Sequence, residues 1–272
     1  MISAVAGWLV RNHLYKPANL LLNSASFLAG KGCNIRYQKK GYWMHRHNDW
    51  VINESVPNFR LDSRALEKDI NEIYFFHYQP KNGDTCIDIG AGTGTETIAM
   101  SRKAGASGKV YAVEASPKTY NLLQANITDN DLKNVSAFNL AISDKNGTER
   151  ISTVADHHIV NTLFSNEGVS VKAVTMDTFL AENNIETIDY LKVNIEGAEK
   201  LMIRQFASVH KVHHIAVSCH DFLGKRHNNA TFFTKKDVSD FLIQHHFRLY
   251  FQNTGIDYID DWIYGIAGDK LD

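Results

Sequence analysis

The sequence predicts an α/β fold, in which a mostly parallel β-sheet carries helices on both faces. From about residue 85 onward, short apolar segments of strand length alternate with segments of helical periodicity, which is the pattern of consecutive βαβ units. The 272 residues, of which 44% are hydrophobic and 22% charged, suffice for a self-supporting core. Two apolar segments near the C-terminus are expected to add an antiparallel hairpin to the parallel strands.

The segment 1–60 is expected to form an extension, and the α/β domain is expected to span 61–272. Apolar residues dominate the segment 1–30, but Arg11, Lys16 and several asparagines interrupt every run long enough to cross a bilayer. We therefore expect no stable membrane insertion. The pattern favours a helical arm packed on the domain or on a second subunit of a homodimer, and the alternative is a helix lying in a membrane interface.

Aromatic and polar residues are interleaved in residues 42–50, where short strands and loops are expected. The aromatic residues Tyr42, Trp43 and Trp50 alternate with groups such as His45 and Arg46. Flat rings beside polar groups fit a lid that binds an acceptor molecule, and they equally fit a strand packed on the edge of the sheet. The sequence leaves these two interpretations open.

The remaining elements follow from periodicity, turn residues and capping residues. The predicted strands are residues 85–89, 110–114, 135–139, 190–194, 214–218, 247–253 and 262–267. Predicted helices begin at or just after Ser63, Gly94, Ser116, Gly197 and Thr234. Ser116 is expected to be an N-cap, and Thr234 with Asp237 resembles a capping box. The dipeptide Asn146-Gly147 and a β-rich segment up to Met176 predict a hairpin inserted within residues 145–180.

A glycine-rich turn follows the first strand and opens a helix. Residues 88–96 read DIGAGTGTE, and glycines permit both a sharp bend and close approach of a ligand to the backbone. The N–H groups at the start of the helix favour an anionic group. Glu114 stands at the end of the second strand, the position at which a carboxylate accepts hydrogen bonds from both hydroxyls of a ribose.

The glycine spacing separates two classes of nucleotide cofactor. A dinucleotide-binding turn reads G-x-G-x-x-G, whereas this one reads G-x-G-x-G. S-adenosylmethionine offers a carboxylate and a sulfonium rather than a pyrophosphate, which suits a turn preceded by Asp88 and followed by Glu96. The turn therefore favours S-adenosylmethionine over NAD.

Charge, cysteine and histidine content exclude several other classes of function. With 29 basic and 30 acidic residues, the formal charge of -1 supplies no cationic field to hold nucleic acid. Cys33, Cys86 and Cys219 are far apart, so we expect reduced thiols in the cytoplasm rather than disulfides or a zinc site. The 13 histidines form no H-E-x-x-H motif, and no metal site is expected.

Three segments together resemble the FkbM family of S-adenosylmethionine-dependent methyltransferases. They are DTCIDIGAGTGTETIAM (84–100), VYAVEASPKTYNLLQANI (110–127) and VTMDTFLAENNIETIDYLKVNIEGAEKLMI (174–203). The resemblance covers roughly residues 65–220 and implies a seven-stranded, Rossmann-like methyltransferase sheet. It also implies methyl transfer, usually to a hydroxyl oxygen of a sugar, a polyketide or a similar small molecule.

The resemblance and the glycine turn together give a set of donor-binding residues. By position, the turn would form the wall near the methionine part of the donor, Glu114 would hold the ribose, and Ala115, Asn139 and residues 141–143 would lie near the adenine. The predicted donor-binding residues are Asp88, Gly90, Ala91, Gly92, Gly94, Glu96, Glu114, Ala115, Asn139, Ala141, Ser143 and Asn194. The family typically has an aspartate where this chain has Asn194, and an amide cannot act as a base at neutral pH.

The predicted catalytic residues follow the fourth and fifth strands of the parallel sheet. A hydroxyl acceptor benefits from a base within hydrogen-bond reach of its oxygen. His220 is the favoured base, Glu196 is the second candidate, and Asp221 lies beside His220 at the same rim. A divalent cation held by Asn194, Glu196 and Asp221 is an alternative, since clustered oxygen ligands suit such an ion.

These observations predict an enzyme that methylates a hydroxyl group on a small molecule or glycan. One alternative is an NAD-dependent oxidoreductase on a related dinucleotide-binding fold. The other is a protein that binds the methyl donor without catalysing transfer, for which the amide of Asn194 is the single indication.

Overall fold

The computed structural model of the protein describes residues 1–151 and 168–268. Its helices are α1 (Ile2–Arg11), α2 (Tyr15–Leu28), α3 (Ser63–Asp69), α4 (Thr95–Ala104), α5 (Pro117–Asp129), α6 (Met176–Glu182), α7 (Glu199–Arg204), α8 (Asp221–His227), α9 (Lys235–Gln244) and α10 (Asp257–Asp260). Its strands are β1 (Asn34–Gln38), β2 (Tyr42–His47), β3 (Trp50–Glu54), β4 (Thr85–Ile89), β5 (Lys109–Val113), β6 (Val135–Phe138), β7 (Ala141–Ile142), β8 (Gly147–Ile151), β9 (Val169–Val174), β10 (Ile188–Val193), β11 (Val212–Ser218), β12 (Phe247–Tyr250) and β13 (Trp262–Ala267).

The central sheet has seven strands in the order β6-β5-β4-β10-β11-β13-β12. The strands from β6 to β11 run parallel, while β13 is antiparallel to β11 and β12 is antiparallel to β13. This confirms the predicted mostly parallel sheet with an antiparallel C-terminal hairpin. The chain moves outward from β4 through β5 to β6 and then returns to β10, so strand order reverses beside β4, where such sheets bind ligands.

Apolar side chains alternate between the two faces of this sheet and build two cores. On β4 and β10, Ile87 and Leu191 belong to a buried cluster that also contains residues of α6, α7 and α9. Their neighbours Cys86 and Tyr190 face the opposite side, in a cluster with residues of α4 and of the N-terminal segment 1–60. This alternation is what a strand buried on both faces requires.

The N-terminal unit, residues 1–60, contains α1, α2 and a three-stranded antiparallel sheet in the order β1-β2-β3. Its inner residues Ala6, Leu22, Ile35 and Ile52 are fully buried and join the core cluster that contains Tyr190. The helical arm is thus packed on the rest of the molecule.

Asparagine side chains close one edge of the N-terminal sheet. From α2, Asn19 Oδ1 accepts the backbone N–H of Tyr37 at 2.9 Å. One turn later, Asn23 accepts the N–H of Ile35 at 2.7 Å and donates to its carbonyl oxygen at 3.0 Å. These amides replace the missing neighbour strand of β1, since an amide group offers the same donor and acceptor as a peptide.

Helix α5 closes the opposite edge in the same way. Asn130 exchanges two hydrogen bonds with the backbone of Val51, at 3.0 and 2.6 Å, and Asn126 accepts the N–H of Asn53 at 2.6 Å. Because α5 also covers the central sheet, these bonds fix the end of β3 relative to it.

The structure decides between the two interpretations of residues 42–50. They form β2 and the start of β3, with Trp43 and Trp50 buried, so the segment is a pair of packed strands and not a lid. The predicted hairpin within residues 145–180 corresponds to β8 and β9, which pair antiparallel, while residues 152–167 of that range lie outside the described part.

The predicted capping box at Thr234 is wrong in its chemistry. Thr234 is the N-cap of α9, but its side chain makes no capping hydrogen bond. Asp221 Oδ1 instead accepts the backbone N–H groups of Thr234 and Lys235, at 2.8 and 3.0 Å. A carboxylate from a neighbouring segment therefore supplies the cap, which local sequence spacing cannot reveal.

Candidate active site

A cavity of about 490 Å³ opens at the carboxyl ends of β4, β5 and β10. It is lined by Glu54, Ser55, Val56, Ile89, Gly90, Ala91, Gly92, Thr93, Thr95, Glu96, Val113, Glu114, Ala115, Leu140, Ala141, Ile142, Ile151, Lys192, Asn194, Ile195 and Glu196. Gly90, Gly92, Glu96 and Glu114, which the sequence predicts to bind the methyl donor, are called the donor end. Glu54, Asn194 and Glu196 are called the acceptor end, after the role proposed for Glu196, although the sequence predicts Asn194 at the donor.

Glycine is required at three positions of the turn for different reasons. Gly90 has φ +73°, and a Cβ built there would collide with the backbone carbonyl oxygen of Asn194. Gly92 has φ +57° and lines the cavity, and since no atom lies within 4 Å of the position its Cβ would take, its missing side chain leaves room for a ligand. Gly94, with φ +94°, does not line the cavity; it is the N-cap of α4, where a Cβ would collide with the side chain of Leu123.

Glu114 is buried at the end of β5 and holds the turn. Its two carboxylate oxygens accept the backbone N–H groups of Gly92 at 3.0 Å and Ser116 at 2.8 Å. Burial raises the pKa of Glu114 to about 7, although these two hydrogen bonds oppose the shift. A carboxylate has further lone pairs, so both oxygens retain capacity for ribose hydroxyls.

Asp88 does not line the cavity but supports the turn from below. Its carboxylate forms a fully buried ion pair with Lys192 Nζ at 2.9 Å and accepts the Thr97 hydroxyl at 2.6 Å. Lys192 also donates to the carbonyl oxygen of Gly90 at 2.8 Å. Burial alone would lower the pKa of Lys192, but the carboxylates of Asp88, Glu96 and Glu114 raise it.

Sequence reasoning missed Lys192 and Tyr74. A lysine inside the apolar strand Tyr190–Val193 is the local feature that could have indicated Lys192, since lysines are almost never fully buried without a partner. The neighbouring carboxylate of Glu96 and, to a lesser extent, burial raise the pKa of Tyr74 well above its usual range. No sequence feature indicated Tyr74, which lies before β4.

The wall predicted to face an adenine is partly where it was expected. Ala115 and Ala141 line the cavity together with the apolar residues Leu140, Ile142 and Ile151. Asn139 lies outside it, and its amide donates to the carbonyl oxygens of Glu114 and Ala115, each at 2.9 Å. Ser143 is fully buried and does not reach the cavity either.

At the acceptor end, Asn194 and Glu196 come from the loop after β10. Asn194 Oδ1 is buried and has no hydrogen-bond partner among the residues that the structure describes, which leaves it available to a ligand. Glu196 adopts the left-handed backbone conformation, with φ +54°. Burial raises the pKa of its carboxyl group to about 7.

His220 lies behind Glu196 and is held by two carboxylates. Its Nδ1 is 3.1 Å from Glu199 Oε1, and its Nε2 is 3.7 Å from Glu196 Oε2. Burial alone would lower the pKa of His220, but Glu199 and Glu196 raise it. The ring does not line the cavity, so Glu196 stands between it and the cavity.

Asp221 is not brought to the cavity. Its carboxylate is occupied at the start of α9, away from Asn194 and Glu196, so these three residues do not form the cation site considered from the sequence. Within residues 1–151 and 168–268, no three metal-ligating side chains of histidine, cysteine, aspartate or glutamate are grouped in a way that fits a metal ion.

The N-terminal unit contributes a wall that sequence reasoning did not assign. Glu54, at the end of β3, lines the cavity with Ser55 and Val56. Burial raises the pKa of Glu54 to about 7. Its position depends on the asparagine contacts of α5 with β3, so a separate part of the chain contributes to the cavity wall.

The residues present fit S-adenosylmethionine. A turn free of side chains at Gly92 gives access to the backbone, Glu114 offers acceptors for a ribose, and an apolar wall follows β7 for a purine. The start of α4 has no side-chain cap, so its first N–H groups could hold the carboxylate of the methionine part.

Two curated proteins are similar in sequence to part of this chain. A probable cobalt-precorrin-6B C(15)-methyltransferase (decarboxylating) from Sulfolobus acidocaldarius is 28% identical over 87 residues, 32% of this chain and 42% of that protein. The corresponding protein of Saccharolobus solfataricus is 35% identical over 74 residues, 27% of this chain and 34% of that protein. The chain thus spans less than half the length of these curated relatives.

Among solved structures, a putative O-methyltransferase from Klebsiella pneumoniae aligns with a TM-score of 0.46 at 11% identity, covering 97% of this chain and 96% of that one. Aeropyrum pernix fibrillarin, with natively bound S-adenosyl-L-methionine, aligns with a TM-score of 0.45 at 13% identity, covering 83% of this chain and 94% of that one.

The family model for the methyltransferase FkbM domain matches residues 88–268, from the glycine turn to the last described strand. This match argues against the alternative considered from the sequence, an NAD-dependent oxidoreductase. The chain therefore belongs to the FkbM methyltransferase family, and S-adenosylmethionine is its methyl donor.

Proposed function

We propose that the protein methylates a hydroxyl oxygen of a small molecule or sugar. The observation that supports this most directly is the row Glu196, His220 and Glu199, which starts at the cavity wall and runs into the core. An acceptor hydroxyl must lose its proton when its oxygen gains a methyl group, and a carboxylate whose pKa is near 7 is suited to take that proton.

In this proposal Glu196 is the base and His220 is the group behind it. The bound donor supplies an electrophilic methyl group. Glu196 faces the acceptor and takes the hydroxyl proton, while His220, oriented by Glu199, stabilises the negative charge of the Glu196 carboxylate before that transfer. The order of the two candidates is thus reversed relative to the sequence-based expectation, because His220 does not line the cavity.

The remaining walls align the acceptor and exclude water. Asn194 Oδ1 offers a hydrogen-bond acceptor to a second hydroxyl, and Glu54 offers another from the N-terminal unit. In-line methyl transfer needs mainly alignment and a dry site, which these walls and the apolar residues beside them supply.

The charge of the cavity supports an uncharged or cationic acceptor rather than an anionic one. Glu54, Glu96, Glu114 and Glu196 line it, and Lys192, the single basic residue among the described residues of the wall, is already paired with Asp88. A phosphorylated molecule or a nucleic acid would meet several carboxylates there, with the lysine already neutralised. We also propose that the enzyme works in the cytoplasm, where its free cysteines Cys33, Cys86 and Cys219 stay reduced.

The test is a screen of hydroxyl-bearing metabolites and glycans with radiolabelled S-adenosylmethionine, followed by mass spectrometry of the product. We expect an O-methyl product with neutral acceptors. Glu196→Gln should lower kcat by a factor of about 100 or more while S-adenosylhomocysteine still binds. The control Glu182→Gln, at an exposed carboxylate that does not line the cavity, should retain full activity.

Two outcomes would contradict the proposal. A product methylated on carbon or nitrogen would replace the hydroxyl acceptor with another class. Tight donor binding without turnover of any acceptor would instead favour a protein that only binds the donor, which is the alternative raised by Asn194.

A further inference from the structure

The N-terminal unit carries an unusual distribution of charge. Residues 1–48 contain seven lysines and arginines and no aspartate or glutamate. Since the whole chain has 29 basic and 30 acidic residues, residues 49–272 hold 22 basic and 30 acidic ones, a balance of -8. The net charge of the chain is close to zero, but the charge is unevenly distributed: the N-terminal segment is basic and the rest of the chain is acidic.

The same segment exposes large apolar side chains on the outer faces of its two helices. On α1, Val5 and Trp8 are three residues apart on one face and are 45% and 54% exposed. On α2, Leu20, Phe27 and Leu28 are 69%, 77% and 85% exposed, and their spacing also places them on one face. The inner faces are buried through Ala6, Ala18 and Leu22, so the exposure is confined to the outward sides.

Basic side chains lie at the junction of the two helices and on the strand beside them, and Lys40 shares a small cavity with Asp129 of α5. Arg11 ends α1 and Lys16 begins α2, and both are exposed at the junction of the two helices. Arg36, Lys39 and Lys40 are exposed on and after β1. In the part of the chain that the structure describes, none of these five forms an ion pair with a carboxylate, so their charges are available to a partner.

Neither helix can insert across a bilayer. The two helices have 10 and 14 residues, and no described helix is both long and apolar enough to span one. A short helix with an apolar outer face and flanking lysine or arginine residues instead lies in the plane of the interface, where tryptophan is particularly favoured.

Two partners could cover these apolar faces, a second copy of the chain or a membrane surface, and charge distinguishes between them. In a symmetric dimer the same patch would face its copy, which would bring two basic segments together at the contact. An anionic membrane surface offers apolar contact and opposite charge at once, and each basic residue near such a surface strengthens binding. The charge complementarity therefore favours anionic lipid over a second copy.

We propose that the outer faces of α1 and α2 bind the surface of an anionic lipid bilayer, with Trp8, Phe27 and Leu28 in the interface and Arg11 and Lys16 at the headgroups. This surface is independent of the cavity. The N-terminal unit nevertheless links the two, because Glu54, Ser55 and Val56 belong to it and line the acceptor end.

The test is co-flotation of the full chain with vesicles of phosphatidylcholine alone or with about 30% phosphatidylserine, at about 50 mM and about 500 mM salt. We expect binding to the anionic vesicles at low salt, weakened by roughly tenfold or more at high salt, and little binding to the neutral ones. Salt-resistant binding to both kinds of vesicle would overturn the role of charge.

Variants locate the surface. Trp8→Ser with Phe27→Ser should weaken binding to anionic vesicles by roughly tenfold or more, and Arg11→Glu with Lys16→Glu should do the same. The matched control Ile243→Ser removes an apolar side chain that is 60% exposed on α9 and should leave binding unchanged. Circular dichroism of each variant verifies that it is folded.

Three results would overturn the proposal. They are absence of binding to anionic vesicles at low salt, equal effects of the control and the N-terminal variants, and a concentration-dependent dimer, measured by light scattering, that Trp8→Ser with Phe27→Ser abolishes in a chain that does not bind vesicles. The last result would assign the faces to a second copy of the chain.

Discussion

The two ends of the cavity are built in different ways. The donor end comes from the contiguous turn 88–96 and the end of β5, where backbone shape and one buried ion pair fix the geometry. The acceptor end comes from the N-terminal unit and the loop after β10, with His220 contributed from behind by the segment after β11. At the donor end the residues that support the turn, such as Gly90 and the pair Asp88 and Lys192, are therefore needed for the fold, whereas we expect side chains of the acceptor end to be replaceable with less loss of stability.

The strongest test of this contrast is Lys192→Met. The variant leaves the fully buried carboxylate of Asp88 without its cation, and breaking a buried pair in this way costs about 3–5 kcal/mol of unfolding free energy. Urea denaturation measures the loss. Adding Asp88→Asn should recover at least half of it, and failure of that second change to recover stability would show that the pair is not the cause.

Alanine substitutions at two glycines of the same turn should have different effects, one mainly on stability and the other mainly on ligand binding. Gly90→Ala should cost about 3 kcal/mol or more, because its Cβ meets the carbonyl of Asn194 in addition to the left-handed φ. Gly92→Ala should cost only about 1 kcal/mol, since its Cβ meets no protein atom, but should weaken S-adenosylhomocysteine binding. Equal losses of stability in the two variants would contradict the geometry of the turn.

Glu114→Gln should act on donor affinity rather than on turnover of bound donor, both through the lost charge and because the amide NH2 can no longer accept one of the two backbone N–H groups of the turn. Losing a charged hydrogen-bond acceptor weakens S-adenosylhomocysteine by about 1.5–3 kcal/mol, roughly 10- to 100-fold in Kd. The pKa of Glu114 is about 7, so affinity of the unmodified protein should rise as the pH increases through 7 and the carboxylate ionises. Isothermal titration of the variant should give a flat profile, and an unchanged slope would assign the titration to another group.

An effect of the opposite sign, a gain in stability, is expected for Glu54→Gln. Burial raises the pKa of Glu54 in the folded protein from 4.5 to about 7, so its protonated form is favoured by folding. The resulting contribution to stability is complete at acidic pH and is lost as the pH rises through 7. The neutral glutamine should thus stabilise the protein by up to about 3 kcal/mol at about pH 8 and by less than about 1 kcal/mol at about pH 5. Thermal melts at both pH values measure this, and destabilisation at about pH 8 would contradict it.

The sequence predicts the donor end of the cavity better than the acceptor end, and the reason is physical. The glycine turn and Glu114 follow from local spacing, because a strand, a turn and a helix in succession bring them together whatever the rest of the chain does. Glu54 and Tyr74 come from before the first parallel strand, and nothing local shows that they return to it. Lys192 is the exception, since a lysine in an apolar strand is itself an indication of a buried partner.

Side-chain direction explains the remaining differences. Strand ends correctly place His220 and Asp221 at the rim, but the ring of His220 turns toward Glu199 and the carboxylate of Asp221 turns toward α9. Likewise Asn139 turns away from the cavity and toward the backbone of Glu114 and Ala115. Position along a strand predicts the neighbourhood of a residue, and only packing decides where its functional group points.

The asparagine contacts between α5 and β3 have a consequence for how this enzyme could diversify. Asn126 and Asn130 stand in the family-matched part of the chain, yet they serve the edge of a sheet that precedes it. The N-terminal unit is therefore not freely exchangeable. A relative that acquired a different N-terminal segment would have to replace these two amides as well, so inheritance should couple a new substrate preference to changes at two positions that do not line the cavity.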